Sequence, residues 1–236
     1  MNQPMSRYTG SLPVQAIVFD MDGVLCDSED ILCEAAMQMF LQEHGARVEP
    51  GDFLPFLGAG EDRYLGGVAG KYGVALRMPA DKERTYALYL ELIKGRLQPL
   101  PGAIDFVLAS RRTGLKTAVA TGADRIKMVG SLQEIGLPPE EFNVLITGDD
   151  ISCPKPDPEI FRAAASQLHV EPARCVVVED STNGVAAARA AGCFVLGVAH
   201  SFPVEALMEA GAHIVAPTLT EAWTDAFLES LGSATG

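Results

Sequence analysis

Two aspartates separated by a single residue, Asp20 and Asp22, close an apolar run in the stretch VFDMDGVLCDSED, and Gly23 follows them directly. Buried carboxylates repel one another and resist losing water, so acids at such a place need a cation to answer them. Other polar residues stand just past later apolar runs. Thr121 ends KTAVAT and is followed by Gly122 and Ala123; Asp149 and Asp150 follow NVLIT; Lys155 lies in CPKPDPEIF; Glu179 and Asp180 end CVVVED. A hard divalent cation with oxygen ligands relieves such a set of acids, and Mg²⁺ suits a site with few protein ligands plus water and phosphate.

The chemistry this set supports is phosphoryl transfer. Asp20 can attack phosphorus and become an aspartyl phosphate. The obstacle is the approach of one anion to another, which Mg²⁺ and Lys155 offset. Asp22 can protonate the leaving alcohol and then deprotonate the water that hydrolyses the acyl phosphate. Thr121 can donate to a phosphate oxygen, and the amides of Gly122 and Ala123 open a helix that favours anions. Taken singly, each residue has an ordinary alternative. Asp20 and Asp22 can form a turn before Gly23, Thr121 can cap a helix, and Lys155 can be a solvated lysine.

These residues need a frame that gathers them. VQAIVF (14–19), KTAVAT (116–121), NVLIT (143–147), CVVVED (175–180) and CFVLGVA (193–199) predict buried strands, with IVA (214–216) as a short edge strand. They are rich in Val and Ile and lack polar alternation, as strands covered on both faces do. Helical patterns lie between them, near 102–113, 124–136, 157–168, 183–191 and 203–210. Strand–helix alternation predicts an α/β fold with a doubly wound, Rossmann-like parallel sheet. In such sheets ligands bind beyond the carboxyl ends of the strands, where the residues above fall. From 28 to 98 no strand pattern occurs. A helix capped by Ser28 or Asp30 and stopped by Gly45 comes first, then helical stretches near 61–72 and 81–96. The expected organisation is therefore core (1–27), all-helical cap (28–98) and core again (99–236).

At this point the chain resembles the haloacid dehalogenase superfamily of Mg²⁺-dependent phosphatases and phosphomutases. The resemblance is to the subfamily with a helical cap after the first strand, which includes β-phosphoglucomutase and phosphoglycolate phosphatase. FDMDGVLCDSE, AVATGADR, KPDPEIF and VVVEDSTNGVAAARAAG carry it, in the family's order. It implies Asp20 as nucleophile, Asp22 as general acid/base, and Thr121 and Lys155 on the transferred phosphate. It also implies Mg²⁺ held by Asp20, Asp180 and the backbone carbonyl of Asp22, with Glu179 in support. Original dehalogenases carry an aromatic residue where Asp22 stands, which argues against dehalogenation.

In the cap, FLGAGEDRYLGG (56–67) places Gly58 and Gly60 where close backbone approach or positive φ is useful, with Glu61 after them. By the resemblance this loop faces the substrate; the alternative is a plain turn with Glu61 starting a helix. β-Phosphoglucomutase carries basic residues where this chain has Ala59, Gly60 and Glu61, and a histidine where it has Leu32. Both departures favour a hydrolase over a sugar-phosphate mutase. The cap stretches are also similar to those of the phosphatase-like domain of a plant thylakoid protein. Arg125, just past the phosphate loop, is a candidate contact to the leaving group, or else a solvated first-turn side chain. A domain kept for binding or regulation is the remaining alternative, but its acids and Lys155 would be expected to have decayed.

Composition narrows the partners. A net charge of −13 repels nucleic acid and anionic membranes, so the expected partner is a small phosphorylated metabolite bound at a local positive site. No run approaches the roughly 20 apolar residues of a membrane helix. The chain is expected to be a monomer or weak dimer. The five cysteines form no CxxC pair, so a reducing compartment is the natural reading: the cytoplasm, or an organelle stroma if a transit peptide has been removed.

Overall fold

The computed structural model describes residues 14–56 and 60–222. The strands are β1 (Ala16–Phe19), β2 (Lys116–Ala120), β3 (Val144–Ile146), β4 (Cys175–Glu179), β5 (Phe194–Val198) and β6 (Ile214–Ala216). They form one six-stranded sheet in the order β3-β2-β1-β4-β5-β6, and every pairing is parallel. The chain therefore winds outward from β1 to β3, returns to the far side of β1, and winds outward again. The order reverses between β1 and β4, the place where doubly wound sheets open a crevice at their carboxyl edge.

The sheet is covered on both faces, which is why its strands read as unbroken apolar runs. Successive residues of β1 enter different layers. Ile17 and Phe19 join one apolar cluster, with Phe106 and Val107 of α4 (Ala103–Arg112) and Met128 and Leu132 of α5 (Arg125–Glu134). Ala16 and Val18 join the other, with Phe161 and Ala164 of α6 (Glu159–Leu168) and Val185 and Ala188 of α7 (Thr182–Ala191). The period of two in a strand separates these sets. Phe19 meets Phe106 edge-on at 5.4 Å between ring centroids, a geometry worth about 1 kcal/mol beyond burial. Helices α8 (Val204–Glu209) and α9 (Leu219–Ala222) complete the described chain.

Between β1 and α4 the described chain contains helices and no strand: α1 (Glu29–His44), α2 (Glu61–Tyr72) and α3 (Ala80–Leu92), with two short 3₁₀ turns. Helix α1 ends at Gly45 in the left-handed conformation, φ 64°, which glycine adopts without penalty. Met39, Phe40, Phe53, Tyr64 and Leu65 pack into the same apolar cluster as the α4 and α5 side of the sheet. No helix among the described residues is long and apolar enough to cross a membrane.

Candidate active site

β1 carries Asp20 to the carboxyl edge. Phe19 is in register with Val119 of β2 and Val178 of β4. The Asp20 amide still donates to the Val178 carbonyl at 3.0 Å, so the backbone that aims its side chain belongs to the ladder. Thr121 is fixed likewise, its amide donating to Ile146 O at 3.0 Å. Glu179 ends β4 and Asp180 follows it. Asp20, Thr121, Glu179 and Asp180 are all buried.

Lys155 joins them from the loop after β3. Its Nζ donates to Asp20 Oδ1 at 2.6 Å, to Glu179 Oε1 at 2.7 Å and to the Ala120 carbonyl at 3.3 Å. Burial works against its charge, but Asp20 and Glu179 more than offset it and raise its pKa. The other Glu179 oxygen accepts from the amide and hydroxyl of Ser181, both at 2.9 Å, and Asp180 accepts from the Ser201 hydroxyl. Two glycines let the acids sit where they do. A Cβ at Gly184 would stand 1.7 Å from Glu179 Oε1, and one at Gly23 would stand 1.9 Å from Asp180 Oδ2. Gly23 also has φ 78°, which disfavours any other residue.

Asp20, Glu179 and Asp180 each offer an oxygen within 4.8 Å of the others. Burial pushes the Asp20 pKa up to about 7; Lys155 opposes this and Glu179 adds to it. Burial, with Glu179 and Asp20 adding to it, pushes Asp180 up to about 8. One lysine thus stands against three buried acids, and the excess negative charge, all on hard oxygens, fits a divalent cation.

The Asp22 side chain stands outside this cluster among the described residues. It accepts from Lys127 Nζ at 2.6 Å and from the Ser28 hydroxyl. Its carboxylate is therefore not offered as a metal ligand, and any such role belongs to its backbone. Ser28 precedes α1 but makes no side-chain cap, and Asp30 lies inside the helix. Ser28 turns to Asp22 instead.

The phosphate loop differs in detail from expectation. Helix α5 starts at Arg125, so Gly122 and Ala123 precede it, and the Ala123 amide donates to Thr121 Oγ1 at 3.1 Å. Arg125 is exposed, and its guanidinium pairs with Asp150 at 2.9 Å. Its charge is thus already answered. Gly58 lies outside the described residues. Gly60 caps α2 at φ 84°, and a Cβ there would meet nothing within 4 Å. Conformation, not crowding, calls for glycine. Glu61 begins α2 and is buried, with no hydrogen-bond partner for Oε2 among the described residues. Leu32 is buried in the apolar cluster.

Sequence reasoning missed Ser28, Lys127, Gly184 and Ser201. Lys127 left a usable signal. It shares the buried face of α5 with Met128, Ser131 and Leu132, so a lysine fell on the apolar stripe at helical spacing.

An acid cluster with a bridging lysine, at the switch point of a doubly wound sheet, is an arrangement suited to phosphoryl transfer. The chain belongs to the haloacid dehalogenase-like hydrolases, whose family model matches residues 14–192. It is 41% identical over 205 residues to the chloroplastic protein SUPPRESSOR OF QUENCHING 1 of Arabidopsis thaliana; the match covers 86% of this chain and 19% of the plant protein. It is 33% identical over 215 residues to the phosphorylated carbohydrates phosphatase of Thermotoga maritima, covering 84% of this chain and 92% of that one. The crystal structure of CbbY from Rhodobacter sphaeroides in complex with phosphate superposes with a TM-score of 0.80 at 25% identity, covering 92% of this chain and 99% of that one. The chain is a phosphatase of this family, acting on small phosphorylated molecules.

Proposed function

We propose that the protein hydrolyses the phosphomonoester of a small metabolite through an aspartyl phosphate on Asp20, with Mg²⁺ as cofactor. The observation that carries this reading is the contact of Lys155 with both Asp20 and Glu179, inside a buried acid cluster at the carboxyl edge of the sheet. Asp20 Oδ1 attacks phosphorus, and Lys155 moves from balancing that carboxylate to balancing the phosphoryl oxygens. Thr121 contributes its hydroxyl. Asp22, oriented by Ser28 and Lys127, gives its proton to the leaving oxygen and then takes one from water. Asp20, Asp180 and the Asp22 carbonyl would hold Mg²⁺, with Glu179 in support. When bound, Mg²⁺ supplies positive charge that lowers the repulsion between nucleophile and phosphoryl group. The inserted helices act as a cap over the leaving group.

Inhibition by beryllium fluoride with Mg²⁺ tests the reading, because that anion completes a phosphoryl mimic on a free aspartate. Phosphate release from p-nitrophenyl phosphate should stop, and Lys155→Ala should weaken the block by about 10-fold or more. Undiminished turnover in the presence of the inhibitor, or unchanged turnover and inhibition in Lys155→Ala, would overturn it.

A further inference from the structure

Where the inserted helices meet the sheet, charged groups from three elements converge. Asp22 comes from the loop after β1, Lys127 from α5 and Glu61 from the first turn of α2. Lys127 is 3% exposed and Glu61 7%. Lys127 donates to Asp22 at 2.6 Å, and Asp22 and then Glu61 are the charges that act on it most. Of the charges acting on Glu61, Lys127 is the strongest, followed by Asp22 and Asp124. Yet Glu61 makes no ion pair among the described residues, and its Oε2 accepts from nothing.

A buried carboxyl oxygen without a donor is costly, and a ligand that donates to it would remove that cost. The place is informative too. Asp22 is assigned above to the leaving oxygen, so groups beside Asp22 border the alcohol half of the ester. The Lys127 charge is answered by Asp22 and, when Asp22 holds a proton, by Glu61, the next charge acting on it. What remains for the alcohol is an ammonium with N–H groups to spare and a carboxyl that needs a donor. A neutral hydroxyl satisfies both, accepting from one and donating to the other. A carboxylate can only accept, and it would bring a second negative charge to Glu61. Glu61 and Asp81 are the buried charged residues of the inserted helices among those described, so those helices add no buried cation to welcome it.

We propose that Glu61 and Lys127 form a leaving-group subsite that holds a free hydroxyl of the alcohol, selecting sugar and polyol monophosphates over esters whose alcohol carries a carboxylate. This rests on the phosphatase reading and on the role given there to Asp22. Burial pushes the Glu61 pKa up to about 7, against the pull of Lys127, and either protonation state pairs with a hydroxyl.

The test uses the whole protein with Mg²⁺ and a matched pair of esters. 2-Hydroxyethyl phosphate and 2-phosphoglycolate differ only in CH₂OH against COO⁻. Wild type should show kcat/KM about 10- to 100-fold higher for the first, the range of a hydrogen bond to a charged group. Glu61→Gln keeps the shape, removes the charge and should shrink that ratio by about 10-fold. A wild-type preference for phosphoglycolate, or a ratio untouched by Glu61→Gln, would overturn the proposal; should the variant not fold, the wild-type ratio alone decides. p-Nitrophenyl phosphate separates this from the parent reading. If no phosphate is released from it either, the phosphatase assignment itself falls, and the subsite with it.

Discussion

The carboxylates at the strand ends and the carboxyl on α2 are all buried, but their surroundings differ. Asp20 and Glu179 share Lys155, Glu179 also takes two donors from Ser181, and Asp180 takes one from Ser201. Glycines at 23 and 184 leave room for two of them. Glu61 has one oxygen with no donor among the described residues, on a helix entered through a glycine with open space around it. On the proposed reading, the contrast follows the two halves of a phosphomonoester. The phosphoryl group is the same in every substrate, so its site can be completed in advance by the protein, which lowers the reorganisation needed during reaction. The alcohol varies, and a group left incomplete is where a particular alcohol can be read.

Substitutions on the core side should therefore abolish chemistry for every ester. The largest effect is expected of Asp20→Asn, which keeps the size and removes the nucleophile. Phosphate release should fall by about 10⁴-fold or more for all substrates, with the fold intact by circular dichroism. An effect that varies among esters would erase the division between the regions. Next comes Gly23→Ala. The added methyl displaces Asp180, and the positive φ costs about 1–2 kcal/mol of stability. The Mg²⁺ concentration for half-maximal activity should rise by about 10-fold. An unchanged Mg²⁺ requirement would remove Asp180 from the metal site.

The same division marks how far the fold and the site could be read before the structure. Val- and Ile-rich runs predicted a parallel sheet because strands covered on both faces leave no polar alternation, and all six strands formed within a residue or two of the predicted runs. Asp20, Thr121, Glu179 and Asp180 were legible because strand ends in such a sheet converge on one edge. Lys155 was legible as the one cation among those acids. What stayed hidden depends on side-chain direction across the interface. Lys127 sits on the apolar face of α5, but only the structure shows that it meets Asp22. Arg125 looked free until Asp150 answered it. That Gly184 must be a glycine follows only from Glu179 lying against it.

A smaller effect concerns the unloaded protein. Asp20, Asp180 and Glu61 have pKa values raised by burial to about 7, about 8 and about 7. Between about pH 4 and 8 the folded protein binds more protons at these groups than the unfolded chain does, so their contribution is present at low pH and lost as pH rises. His213, lowered by burial, works the other way but is a single group. With a chelator present, melting temperature should fall from pH 5.5 to pH 8.5, by an amount on the order of a few kcal/mol in stability. Mg²⁺ should restore more of it at the higher pH, because ionised ligands bind it best. A chelated protein that becomes steadily more stable up to pH 8.5 would contradict this.

The smallest effect is expected where the two regions are joined by a partly buried ion pair at their border. Lys82 of α3 pairs with Asp62 at 2.9 Å and with Asp124, before α5, at 2.8 Å. Lys82→Ala should cost about 1 kcal/mol or less and raise KM by less than about 5-fold, and the difference from wild type should shrink in high salt. A loss as large as that of Gly23→Ala would mean that this pair governs how the inserted helices sit on the core.

The central claim, a covalent phosphoryl group on Asp20, is tested most directly by reductive trapping. Borohydride reduces an acyl phosphate to an alcohol and leaves free carboxylates untouched, so an aspartyl phosphate becomes homoserine. The protein is mixed with Mg²⁺ and an ester it is turning over, quenched with borohydride, digested and mapped by mass spectrometry. Homoserine should appear at position 20, only when substrate is present, and not in Asp20→Asn. Homoserine at another acid such as Asp22, or none at position 20 in a sample turning over at full rate, would contradict the account.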